Sequence, residues 1–156
     1  TRYESSAASD VYKRQNLGNR YKNLSNARSE INNLPETKIL KKSKIYKSSF
    51  YGPFEQPFFF NLALKIKTKL SPISLLKHLQ KVEKKLKKEK NSHMKPRTID
   101  IDIIFFDDLH IKKPKLTIPH YDWKNRDFFI KPLLEINCEH VKNEVSELNL
   151  KASQKF

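Results

Sequence analysis

The segment 96–106, PRTIDIDIIFF, constrains the fold more than any other part of the chain. From Ile99 to Phe106 it is dense in β-branched and aromatic residues, which reads as a buried strand. Alternate residues of a strand face opposite sides. Ile99, Ile101 and Ile103 therefore point into a core, and Asp100 and Asp102 share the other face, ~6.5 to 7 Å apart along the strand. Two carboxylates held that close repel each other unless a cation lies between them. Segment 58–68 follows the same rule. Its even positions, Phe58, Phe60, Leu62, Leu64 and Ile66, form an apolar face, while Phe59, Asn61, Ala63, Lys65 and Lys67 form the other.

The remaining elements fall around these two. Leu24, Ala27, Ile31 and Leu34 recur at helical spacing between Tyr21 and Leu34, and Pro35 ends that helix. Ile39 to Tyr46 reads as a strand with a Lys-rich face, followed by the punctuated loop KSSFYGPFEQP. Ser71 is placed to cap a helix with Pro72 at its first position. Leu75, Leu76, Leu79, Val82 and Leu86 form that helix's buried stripe, and KKLKKEK its solvated end. Asp107 and Asp108 turn the chain, 112–127 reads as a polar loop, and a short helix is expected over Phe128 to Ile136. The tail after Cys138 is weakly patterned. Residues 1–15 carry no apolar period and a run of small residues from Ser5 to Ser9, and read as a head foreign to a single domain over 16–156. The order helix, strand, strand, helix, strand becomes the split β-α-β pattern once a strand precedes it. The expected fold is therefore α+β, a ferredoxin-like sandwich with a mainly antiparallel sheet, its first strand missing or replaced. Loss of that strand would expose neighbouring backbone.

Composition narrows the chemistry. The only glycines are Gly18 and Gly52, which excludes Walker-type and dinucleotide-binding loops built on clustered glycine. Any phosphate must be held by side chains and metal. The net charge of +15 fits an anionic partner, or a general preference for lysine, since 26 of the 32 basic residues are Lys. Arginine is correspondingly informative, because it supplies a planar bidentate fork. Arg97 adjoins the aspartate strand. Arg126 lies in IPHYDWKNR together with His120, Tyr121, Asp122 and Asn125. The aspartates suit Mg²⁺, which takes one or two carboxylates plus substrate phosphates. With two arginines and a histidine they make a polyphosphate clamp. Phe59 and Asn61 could stack on a flat heterocycle and read its edge; equally, Phe59 could pack under the 47–57 loop. The single cysteine, Cys138, excludes an internal disulfide, and no apolar stretch nears the ~20 residues that span a bilayer. A soluble, cytoplasmic chain is expected. Two other functions are compatible with parts of this pattern: a metal-dependent nuclease and a basic nucleic-acid-binding domain.

Taken together, PRTIDIDIIFF, LTIPHYDWKNRDFFIKPLLEI, NLGNR at 16–20 and YGPFEQPFFFN at 51–61 resemble the 6-hydroxymethyl-7,8-dihydropterin pyrophosphokinases of folate biosynthesis. The resemblance implies transfer of pyrophosphate from ATP to the hydroxymethyl oxygen of a dihydropterin, with release of AMP. It implies two Mg²⁺ held by Asp100 and Asp102. Arg97, His120, Tyr121 and Arg126 match phosphate or nucleotide contacts, with Gln80, Glu83, Lys88, Lys90, Ile103, Lys115 and Thr117 also on the nucleotide side. Asn61 would read the pterin edge between Phe59 and Phe128, with Ser48, Ser49 and Tyr51 completing the pocket. Partners would be small molecules only, without nucleic acid or membrane, and the chain a monomer. Lys87, Lys88 and Lys90 stand where the family often has a glycine and two arginines, which keeps charge but loses the fork.

Overall fold

A computed structural model describes residues 2–10, 17–48, 59–88 and 99–153 of the chain. Its elements in order are β1 (Arg2–Asp10), α1 (Leu17–Asn32), β2 (Thr37–Lys42), β3 (Tyr46–Ser48), β4 (Phe59–Thr68), α2 (Pro72–Lys88), β5 (Ile99–Phe106), β6 (Ile111–Lys113), β7 (Leu116–Ile118), α3 (Asp127–Glu135) and α4 (Glu139–Ser153). The main sheet runs β2-β4-β1-β5, every neighbouring pair antiparallel, and β3 pairs with β4 beyond β2. β6 and β7 form a separate hairpin.

The alternation in β4 and β5 divides the molecule into two cores. Phe60, Leu62, Leu64 and Ile66 of β4 and Ile99, Ile101 and Ile103 of β5 pack against the apolar stripes of α1 and α2. On the opposite face Ala63, Ile104 and Phe105 meet Trp123 and α3, with Val141 of α4 beneath. The result is an α+β sandwich with helices on both faces of an antiparallel sheet. No described helix is long and apolar enough to cross a membrane.

The ends of the elements follow from local chemistry. The Ser71 hydroxyl accepts the Ser74 N–H at 3.2 Å and caps α2. α3 ends on Asn137, whose φ of 58° is the left-handed value that suits Asn. The Cys138 N–H reaches the Leu133 carbonyl and the Asn137 N–H that of Leu134, both at 3.0 Å, closing a Schellman turn.

Of the two alternatives for the first strand, missing or replaced, the structure shows a filled position: Arg2–Asp10 lies between β4 and β5 and pairs along its length with both. Small residues do not prevent strand formation where two neighbours supply the hydrogen-bonding edges. The strand expected over Ile39 to Tyr46 is broken into β2 and β3 at Ser43, whose N–H donates to the Ala63 carbonyl and whose Oγ accepts the Ala63 N–H, both at 2.9 Å. A side chain thus completes the ladder where the backbone bulges. The stretch 112–127 holds the β6–β7 hairpin and a 3₁₀ turn at Trp123–Asn125. The weakly patterned tail is helix α4, held by Cys138, Val141 and the partly buried Val145 rather than by a full apolar stripe.

Candidate active site

The site is laid out by strand register. Ala8 of β1 stands opposite Asn61 of β4 on one side and Asp100 of β5 on the other. In the next row Ser6 stands between Ala63 and Asp102. Strands ~4.8 Å apart put Asn61 and Asp100 roughly 10 Å from each other on one face. That face is the one α3 partly covers, because Ala63 belongs to its core. Between the amide and the carboxylate the register places Ala8.

Above β5 the loop after β7 returns to the sheet. The His120 N–H donates to the Ile104 carbonyl at 2.9 Å and pins the loop close to Asp102. Trp123 anchors its far end edge-on against Phe105, with ring centroids 5.1 Å apart. Asp122 organises the side chains between these anchors. Its Oδ2 accepts Arg126 Nε at 2.8 Å and its Oδ1 accepts Asn125 Nδ2 at 3.1 Å. Those two bonds hold the Asp122 carboxyl below the ordinary carboxylate value, the Asn125 bond foremost. The guanidinium of Arg126 lies 5.7 Å from the Phe128 ring centre and 5.6 Å from that of Phe129, within cation–π range of both rings.

His120 is half-buried and accepts the Asp122 N–H at Nδ1, 3.2 Å away. The neutral ring with that acceptor carries its proton on Nε2 and can donate there. Burial lowers the pKa of this imidazole, partly opposed by Asp102 and Asp122 and reinforced by Arg126. The ring stacks on Tyr121 at 4.7 Å and meets Phe129 edge-on at 5.2 Å. Asp102 responds in the opposite sense. Burial raises its carboxyl above the ordinary value, and Asp100 adds to the rise, against His120 and Arg126. His120 and Arg126 offset this burial only in part, and a hard divalent cation would supply further positive charge. Among the described residues no group of three or more His, Cys, Asp and Glu side chains forms a closed cage. The donor set fits Mg²⁺, which keeps water and takes substrate phosphate oxygens in addition to one or two carboxylates.

Of the residues expected in the site, the structure brings together Asp100, Asp102, His120, Tyr121 and Arg126, with Phe128 and Asn61 on the same side of the sheet. Tyr121 is 76% exposed and Asn61 2%. Ser48 and Phe59 stand opposite each other at the ends of β3 and β4. Glu83 reaches from α2 to the Ile101 N–H at 2.7 Å, so it braces the outer edge of β5 between the two aspartates. Gln80 is exposed on α2, Lys88 is the last residue of that helix, Lys115 lies in the β6–β7 turn and Thr117 is half-buried on β7. Ile103 sits in the α1/α2 core, which leaves only its backbone to face a ligand. Ser49, Tyr51, Lys90 and Arg97 lie outside the described residues. Asp122 and Phe129 were not among the expected site residues. The i, i+4 spacing of Asp122 and Arg126 is the sequence signal that could have identified the first; nothing short of the fold identifies the second.

Comparison with known proteins identifies relatives of the chain. The family model described as 7,8-dihydro-6-hydroxymethylpterin-pyrophosphokinase matches residues 15–138. The bifunctional protein FolKE of Lactococcus lactis subsp. lactis is 43% identical over 121 residues, which are 78% of this chain and 35% of that protein. The 2-amino-4-hydroxy-6-hydroxymethyldihydropteridine pyrophosphokinase of Haemophilus influenzae is 40% identical over 126 residues, covering 81% of this chain and 79% of its own. The folic acid synthesis protein fol1 of Schizosaccharomyces pombe is 32% identical over 126 residues, 81% of this chain and 17% of the longer protein. This chain thus corresponds to nearly the whole of one relative and to a fraction of the others. The nuclease and nucleic-acid-binding readings draw no support from these relatives. By the match over 15–138, the chain belongs to the 7,8-dihydro-6-hydroxymethylpterin-pyrophosphokinase family, the pyrophosphoryl transferases of folate biosynthesis.

Proposed function

We propose that this chain transfers the terminal pyrophosphoryl group of ATP to 6-hydroxymethyl-7,8-dihydropterin. The hydroxymethyl oxygen forms a bond to the β-phosphorus, the bond from that phosphorus to the α–β bridging oxygen breaks, AMP leaves, and the hydroxyl proton passes to solvent. The observation that carries the reading is the row Asn61–Ala8–Asp100. The register sets Asn61 and Asp100 in the same row with one strand between them, a separation that suits a bicyclic ring bearing a reactive arm.

Asn61 reads the pterin edge, and Phe128 and Phe59 supply flat faces; Ser48, Ser49 and Tyr51 close the pocket. Asp100 and Asp102 hold Mg²⁺, two ions in our reading. Held there, the metal would neutralise charge on the phosphate oxygens. The Arg126 fork, oriented by Asp122 and the two phenylalanines, takes phosphate oxygens bidentately, and Arg97, two residues before β5 in the sequence, does the same. Neutral His120 donates from Nε2 to a phosphate or leaving oxygen without adding a charge that must be removed afterwards. Tyr121, Gln80, Glu83, Lys88, Lys90, Lys115, Thr117 and the backbone of Ile103 line the nucleotide side. No general base is required, because such transfers rest on in-line positioning and charge neutralisation.

The strand order and directions support a ferredoxin-like sandwich. We further read the protein as a cytoplasmic monomer acting on small molecules, with no nucleic acid or membrane partner. We read residues 1–15 as foreign in origin to the chain over 16–156, since the family match begins at residue 15, although residues 2–10 pair into the sheet as β1. The test is release of AMP from ATP. Release that needs both the dihydropterin and Mg²⁺, and that Asp100→Ala abolishes in a folded protein, is the expected result. ATP turnover independent of the pterin would overturn the reading.

A further inference from the structure

A cavity of ≈ 400 Å³ opens at the other edge of the sheet, where β2 breaks into β3. β5 lies three strands away, about 14 Å at normal strand spacing, so the cavity is separate from the aspartate site. Arg28, Lys42 and Lys44 line it, together with Tyr21, Leu62 and Glu135. Ser43, buried in its hydrogen bonds to Ala63 and Lys44, fixes the bulge that carries the two lysines. Arg28 is half-buried on α1, beside the buried stripe of Leu24, Ala27 and Ile31. Among the described residues none gives its guanidinium a carboxylate or other hydrogen-bond partner. The one acid on the wall, Glu135, is already engaged: its carboxylate accepts the Lys44 N–H at 3.1 and 3.0 Å and the Tyr46 hydroxyl at 2.6 Å. Three cations therefore face one occupied anion.

The wall also offers a ring. Tyr21 stacks on Phe60 with centroids 5.1 Å apart and planes at 27°, and at 50% exposure it keeps much of its surface open. In a chain that uses lysine for most of its positive charge, an arginine held half-buried with no partner among the described residues is suited to planar bidentate recognition of an oxyanion. The volume is at the low end for small-molecule sites.

We propose that this cavity binds a small organic phosphate carrying a flat ring, the class of a nucleoside monophosphate, with Arg28, Lys42 and Lys44 on the phosphate and Tyr21 against the ring. The site requires nothing of the aspartate site and stands whether or not the transfer proposed above is correct.

The experiment is a titration of the isotope-labelled full chain with AMP, inorganic phosphate and adenosine, followed by amide chemical shifts. Saturable shifts at Ser25, Ser43 and Lys44 with AMP are expected, with weaker binding of phosphate or adenosine alone. Arg28→Gln should raise the AMP midpoint at these amides at least about tenfold, and Arg28→Lys should weaken it less. Tyr21→Ala should weaken AMP but leave inorganic phosphate unchanged. The shifts near Asp100 and His120 that report the aspartate site should persist in each variant. Shifts confined to the neighbourhood of Asp100 and His120, absence of any shift, or shifts at Ser43 and Lys44 that ignore Arg28→Gln would each overturn the proposal.

Discussion

Asp102 shows how one residue can oppose stability and serve chemistry. Its carboxyl is raised chiefly by burial and then by Asp100. An acid raised in the folded state stabilises below its unfolded value of 3.8, and that contribution is lost as pH rises through the folded value. At neutral pH the ionised Asp102 therefore costs stability. Asp102→Asn should leave the melting temperature of the metal-free protein unchanged or higher while lowering pyrophosphoryl transfer by at least about a hundredfold. A large fall in melting temperature would contradict this account of the residue. His120 has the opposite sign. Its imidazole is lowered chiefly by burial, so the unfolded chain takes up a proton near 6.5 more readily than the folded one. Stability is then full above 6.5 and declines as pH drops through that value. Melting curves taken above neutrality and near pH 5.5 should show a steeper loss for the parent than for His120→Asn. Equal slopes would mean that burial does not govern the ring. The aspartate pair was legible in the sequence because period-2 alternation alone places both acids on one face. Asp122 was legible only as the i, i+4 partner of Arg126, because its contact with His120 depends on how the loop folds back.

Among the elements, those with a clean period were the legible ones. The stripes of α1 and α2 and the alternation of β4 and β5 each state which side is buried, and the structure puts those sides in one core. Elements held by hydrogen bonds or by neighbours left little pattern. β2 and β3 look continuous in sequence, yet Ser43 divides them, because its hydroxyl can replace a backbone partner. This device carries a measurable load. Ser43 is buried, and its Oγ accepts the Ala63 N–H while donating to the Lys44 carbonyl at 2.7 Å. Ser43→Ala leaves the buried Ala63 donor without an acceptor, at a cost of about 1–3 kcal/mol. Urea unfolding should show the lower midpoint with an unchanged slope. A neutral substitution would show that water replaces the hydroxyl, and that the bulge rests on the Ser43 N–H alone.

For the whole molecule, the decisive element is the one least legible in the sequence. The head has small residues where a central strand usually has large apolar ones, yet register puts it between β4 and β5. Ser5 stands opposite Leu64 and Ile103, Ala7 opposite Leu62 and Ile101, and Ser9 opposite Phe60 and Ile99. These rows share the face that packs on α1 and α2, so the central strand contributes the least apolar surface to the core its neighbours build. On the other face the register places Ser6 and Ala8 between β4 and the aspartates of β5. Two consequences separate the roles of the two faces. Removing residues 2–10 takes the partner from one edge of β4 and one edge of β5, parts the aspartates from Asn61 and should abolish cooperative unfolding. Ser5→Val, on the core face only, should raise stability by about 1 kcal/mol through added apolar burial and leave AMP release unchanged. Circular dichroism melts of both variants decide the matter. If the shortened chain still melted cooperatively, and Ser5→Val changed nothing, β1 would not be the strand that joins the halves of the sheet, and the row from Asn61 to Asp100 would need another strand at its centre.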